Sequence, residues 1–171
     1  MSPEHEHPAI ATGETEAIPR RPLADAVFFV ALMSTAIAFG GALAHALELP
    51  NKITMSRDDY FVMQQAYRGW DQLAFVLAAQ FVSLAAAAVL SWRRQRVAVP
   101  VLVAIACLIA AQGLFWMFTF PANTATGNWM LKPENWEALR ARWEYSHAAG
   151  AALQLGAMAA IALATIRRSH R

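Results

Sequence analysis

Two tetrapeptides, HALE at 45–48 and EYSH at 144–147, set a histidine and a glutamate three positions apart in mirror-image order. A Glu-x-x-His pair on each of two helices is half of a carboxylate-bridged di-iron centre, which also needs a Glu from each of two further helices. Here one pair is reversed, the second apolar segment offers only Asp71, and the third has no acid, so a full di-iron set is not met. Two imidazoles with one or two carboxylates suit a single iron, zinc or copper ion with open positions, which makes His45, Glu48, Glu144 and His147 a candidate ligand set. Met55, Met63, Met117 and Met130 keep copper in view. His45 and His147 could equally be the axial pair of a haem, or bases in a site with no metal. The plain alternative is structural: Arg68 pairs Asp71 and each histidine bonds a glutamate.

The elements that would carry these groups are apolar. Of 171 residues, 57% are hydrophobic and only 15% charged, against about a quarter charged in ordinary soluble domains. The stretches 26–47, 73–92, 97–120 and 148–166 each approach the roughly 20 apolar residues that cross a hydrocarbon core. A soluble all-α domain of this length would have too little polar sequence to cover its outside. The expected fold is therefore an all-α membrane four-helix bundle, up-down-up-down, in one domain over 23–168 after a disordered cytoplasmic tail, 1–22. That tail is acidic and precedes no evident cleavage site, unlike a signal peptide. The single Cys107 gives neither a disulfide framework nor a Cys-based metal motif. A net charge of +2 with arginines at span ends argues against nucleic acid as a partner.

Arg20, Arg21, Arg93, Arg94, Arg96, Arg167, Arg168 and Arg171 fall on one side of such a bundle. The positive-inside rule makes that side cytoplasmic, with both termini inside and the plasma (inner) membrane as the location. The opposite face carries the longer connections, 50–69 and 121–143. Ser56 with Asp59 reads as a capping box, and Pro133 followed by Glu134 and Glu137 as a first turn. Counted from those starts, helices two and four each run about 35 residues, or about 50 Å, and project beyond the outer face.

Counting about 20 residues from the arginine-marked ends brings His45, Glu48, Asp71, Trp116, Thr119 and His147 to one depth. Helical spacing then groups them into one polar stripe per helix. Ionisable groups in a span normally face the bundle interior, so the stripes should meet in a polar pocket at the outer end. His147, His45, Glu144 and Glu48 are its expected catalytic groups; Arg68, Asp71, Gln112, Asn123 and Trp143 its expected substrate contacts. Trp129, Trp136 and Trp143 also read as an interfacial belt.

Across residues 25–166 the chain resembles the anthrone oxygenase-like family of small four-span membrane proteins. The resemblance is carried by the PAN turn at 121–123 and by WEALRARWEYSH, which leads into the fourth span. Family members often show Asn-x-Pro-x-Asn after the third span, where this chain has Thr119, Pro121 and Asn123, and an Arg after the fourth-span polar position, here Gly150. The resemblance implies oxygenation of a polycyclic aromatic, a small lipophilic substrate, without a recognised organic cofactor. His147 or His45 would be the base, oriented by Glu144 or Glu48, with Asn123, Gln112 and Arg68 holding the oxyanion. The competing expectation is a non-enzymatic module for binding or permeation, or a subunit of a homo-oligomer or larger membrane complex, whose polar layer is structural. Spacing leaves the cofactor open: none, a single transition metal, or haem.

Overall fold

The structure, a computed structural model, describes residues 22–169. The tail, with Arg20 and Arg21, and the terminal Arg171 lie outside the described residues. Helix α1 (Pro22–Lys52) is followed by a short α2 (Arg57–Gln64), then α3 (Leu73–Ser91), α4 (Gln95–Leu114), α5 (Phe120–Ala125) and α6 (Trp136–Ser169). Helices α1, α3, α4 and α6 form a closed ring in which α3 and α4 are the most loosely packed neighbours. The all-α four-helix bundle expected from hydropathy is what forms.

Among the described residues, four helical stretches are long and apolar enough to cross a membrane. Large apolar side chains such as Phe29, Ile37, Phe75, Val82 and Ile109 cover the outside of the bundle. Water would not favour that surface, whereas lipid tails do, and the chain is an integral membrane protein. At one end Arg167 donates to the Arg96 carbonyl (3.3 Å) and Arg168 pairs with Asp25. The arginine-marked ends of the spans therefore gather on one side, as the sequence suggests.

Small side chains set the packing at that end. Ala31, Ala87, Ala104, Ala157 and Ala164 are buried together with Phe28, Leu84 and Ile161, and such residues let backbones approach where no hydrophobic force draws helices together. A Cβ on Gly156 would stand 3.3 Å from the Cys107 sulfur. Midway along the bundle, the Gln80 amide donates to Thr35 (3.2 Å) and to Gln154 (3.0 Å), linking α1, α3 and α6.

Three local features depart from the simple helical reading, and each has a backbone cause. The second arm starts at Ser56 as expected, with the Ser56 side chain accepting from the Asp59 amide, but it is no single rod. Arg68 is extended and Gly69 takes φ +88°, a conformation open to glycine at little cost. That break lets α2 lie back over the bundle. The PAN segment at 121–123 is helical rather than a turn. Pro121 lacks the N–H that would donate back to Met117, and the preceding Phe115–Thr119 is a π-helical turn. Lastly, α1 continues through Pro50 to Lys52, well past the span end expected at residue 47. Helix α6, by contrast, runs unbroken for 34 residues, about 50 Å.

The Gln80 amide should act as membrane glue. Gln80→Leu is expected to lower stability by about 1–2 kcal/mol, the usual scale for interhelical hydrogen bonds in lipid, read as unfolding in mixed micelles.

Candidate functional site

The polar stripes do meet, around a cavity of about 1030 Å³ at the end of the bundle away from the arginines. Seven of the expected site residues line it: His45, Arg68, Asp71, Gln112, Asn123, Trp143 and His147. Glu48 and Glu144 do not. Among the described residues the mirror pairs therefore separate, the histidines facing the cavity and the glutamates turning aside. Positions three apart on a helix differ by about 60° around its axis, enough to send the two side chains to different interfaces.

His45 and His147 lie face to face across the α1–α6 contact, with ring centroids 4.3 Å apart and planes tilted by 33°. Aromatic rings hold them there. Trp143 stands edge-on to His45 at 5.0 Å and lies 4.1 Å from His147, while Tyr67 is 4.4 Å from His45. Among the described residues the buried His45 Nδ1 has no hydrogen-bond partner.

The glutamates belong to a second cluster directly behind that wall, centred on a lysine. Lys52 is 1% exposed and Glu144 is fully buried, and they pair at 2.9 Å. Tyr60 donates to Glu144 (2.9 Å), and Gln64 donates to the Tyr60 oxygen (2.6 Å). Lys52 also donates to the Tyr67 oxygen (3.0 Å), and the Tyr67 hydroxyl donates to Glu48. The ammonium sits 4.5 Å from the Tyr67 ring centre and 4.4 Å from that of Trp143, both cation–π distances. Burial, reinforced by the Glu144 carboxylate, pushes the Tyr60 phenol far up. Burial with Glu48 does the same to Tyr67. Both phenols therefore stay protonated and donate their hydrogen bonds throughout the physiological range.

Several sequence expectations are corrected by this arrangement. Neither glutamate bonds a histidine, so Glu144 and Glu48 do not orient the imidazoles. Arg68 does not pair with Asp71; it donates to the Gln65 carboxamide oxygen (2.7 Å) and to the Met130 sulfur (3.6 Å). The Asn123 oxygen is taken by two indoles, accepting from Trp143 (2.9 Å) and Trp129 (3.1 Å). That oxygen fixes Trp143, and through it the histidines; an oxyanion would call on the N–H groups of the same amide.

Nor do His45, Glu48, Glu144 and His147 assemble as metal ligands. Among the described residues no group of three or more His, Cys, Asp or Glu side chains comes together in a metal-holding arrangement. Lys52 and Tyr60 both bond the Glu144 Oε1, and Tyr67 bonds Glu48, while the Glu144 Oε2 is buried with no hydrogen-bond partner among the described residues. Axial imidazoles of a haem lie on opposite faces of the porphyrin, whereas these two rings touch and leave no room for a macrocycle between them. Met55, Met63, Met117 and Met130 do not complete a copper site, since Met117 and Met130 are exposed and no cluster of three His, Cys or carboxylate groups is found among the described residues.

Lys52, Tyr60 and Tyr67 were not among the expected site residues. Lys52 falls seven positions after His45 and four after Glu48, on the same helical stripe. The signal was there, masked by Pro50, which reads as the end of a helix. In its last turn the proline costs one backbone bond and the helix carries on.

No family model, no curated protein and no solved structure matches this chain.

Removing one partner of a buried ion pair strands the other charge. Lys52→Met is expected to destabilise the protein by about 3–5 kcal/mol, and Lys52→Met with Glu144→Leu to recover much of that loss. Thermal unfolding in detergent of the two single variants and the double variant measures the coupling.

Proposed function

We propose that this protein is an oxidoreductase of the oxygenase type, acting on a small lipophilic or aromatic substrate held in the outer cavity. The observation that carries the reading is the pair of contacting imidazoles on the wall of a large, aromatic-lined cavity inside a membrane bundle. Neither ring is engaged by a carboxylate, so either can accept a proton from a bound substrate. Trp70, Trp143 and Phe115 offer faces to a flat body. Gln112 and the Thr119–Ser146 hydroxyl pair (2.7 Å) supply polar contacts at the same level. The resemblance to the anthrone oxygenase-like family supports the same chemistry, and the arginine-rich end would then face the cytoplasm of a plasma-membrane protein.

In this reading His147 or His45 takes a proton from an activated CH2 next to an aromatic ketone. The resulting carbanion transfers an electron to dioxygen and couples with it through a new C–O bond, giving a hydroperoxide once the proton returns to oxygen. Removal of the remaining C–H proton expels hydroxide, which the proton converts to water, and leaves a carbonyl. One dioxygen is consumed; one oxygen atom enters the product and the other leaves as water. The protein's part is to hold the imidazoles against the substrate and to exclude bulk water. Trp143 and Tyr67, fixed from behind by Asn123, Lys52 and Glu48, set the position of the rings.

The same cavity serves a second reading, a non-enzymatic binding module, favoured by the fact that both glutamates are spent on Lys52 and the tyrosines. Oxygen uptake by detergent-purified protein with an anthrone-type substrate separates the two. A general base contributes about 10²–10⁴-fold, so His147→Ala and His45→Ala are expected to lower the rate on that scale while leaving the melting temperature near wild type. A wild-type protein that binds the substrate without oxygen uptake, or alanine variants that keep full rate, would sink the enzymatic reading.

A further inference from the structure

The cavity opens on one side only. Among the described residues, those lining it from α1 and α6 are all buried or half-buried. Every exposed lining residue falls between 68 and 74, at the head of α3, or between 116 and 130, after the end of α4. The mouth therefore lies between α3 and the α4–α5 segment, the loosest seam of the bundle.

The depth of this mouth follows from the helices that frame it. A core of about 30 Å is crossed in about 20 residues. Counted from Ser91 back along α3 that reaches Asp71, and counted from Gln95 along α4 it reaches Phe115. The lower rim, with Ala74 and Trp116, sits in or beside hydrocarbon; the upper rim, with Arg68 and Asp71, sits at headgroup level. Trp116 is 58% exposed, and its exposed neighbours Met117, Phe118 and Phe120 are apolar. A tryptophan with such neighbours belongs at a lipid boundary.

The side facing water is crossed by straps. Gln65 donates to the Trp129 carbonyl (3.0 Å), and Arg68 reaches the Met130 sulfur. Lys132 pairs with Asp58, and Arg140 donates to the Met55 carbonyl (2.7 Å). Trp129, buried and held at φ +65°, closes the roof against Tyr60 and Trp143. A bulky residue keeps that backbone conformation only where its surroundings over-determine it.

We propose that the α3–α4 seam is a lateral portal through which the cavity takes its ligand directly from the bilayer leaflet opposite the arginine-rich end. The ligand it fits is a lipid-dissolved amphiphile with a flat apolar body and one polar end at headgroup height. The body passes between Ala74 and Trp116, and the polar end passes Arg68 and Asp71. This deepens the proposed function by giving its substrate a route, and it rests on the same cavity being the binding site.

The test uses the full chain in phosphatidylcholine vesicles with 1-aminoanthracene dissolved in the bilayer as probe, loading being followed by energy transfer from the cavity tryptophans. Ala74→Phe narrows the mouth at an exposed position and is expected to slow loading about tenfold or more, while Trp116→Ala widens it and speeds loading. Lys132→Ala, which removes the strap to Asp58 on the water side, leaves the rate unchanged. Wild-type loading in both mouth variants, faster loading in Lys132→Ala, or no loading at all overturns the portal. Because loading and not turnover is read, a protein that loads through the mouth but does no chemistry upholds the portal and sinks the enzymatic reading. One that consumes oxygen while Ala74→Phe loads normally does the reverse.

Discussion

The buried pair of Lys52 and Glu144 is the interaction on which the half of this bundle away from the arginines depends. Neither charge is tolerable alone at that depth, and each is made acceptable by the other and by neutral donors and acceptors around them. Lys52 comes from the last turn of α1, Glu144 from α6, Tyr60 and Gln64 from α2, and Tyr67 from the turn after it. One ammonium thus holds four parts of the chain. The break at Gly69 serves that arrangement, because only a bent second arm brings the two tyrosines down onto the ion pair.

The cavity inherits its shape from this cluster without sharing its charges. Tyr67 and Trp143 have the lysine close to their rings on one side and touch the imidazoles on the other. On the side of the histidines the cavity wall is accordingly made of aromatic rings and uncharged polar groups, with Lys52 and Glu144 one layer back, and the charged lining residues Arg68 and Asp71 stand at the exposed rim. On such a wall the polar contacts are few and fixed, and neither glutamate must be desolvated when a ligand enters.

The π-helical turn at 115–119 and the helical PAN segment belong to the same logic. The extra residue in the turn and the missing proline N–H reorient the end of the third span. Asn123 can then reach both Trp129 and Trp143, and Thr119 can reach Ser146. Roof and wall are thereby tied to one residue. The seam between α3 and α4 is left as the side with no comparable strap among the described residues.

Hydropathy, span length and the arginine ends determined the four-helix bundle, because the demand that lipid faces be apolar is written residue by residue along the chain. Depth counting brought His45, Glu48, Asp71, Trp116, Thr119 and His147 to one level for the same reason: a straight helix rises by a fixed step. Which side chain met which was another matter. HALE and EYSH have matching spacing, yet their histidines and glutamates parted, since a rotation of about 60° decides between two interfaces and spacing alone does not say where the neighbouring helix stands. Lys52 went unseen for a local reason, the proline two residues before it. Its partner Glu144 is 92 positions away, and only the packing of α6 against α1 could show that a glutamate read as a catalytic or metal-binding group is instead the counter-ion of that lysine.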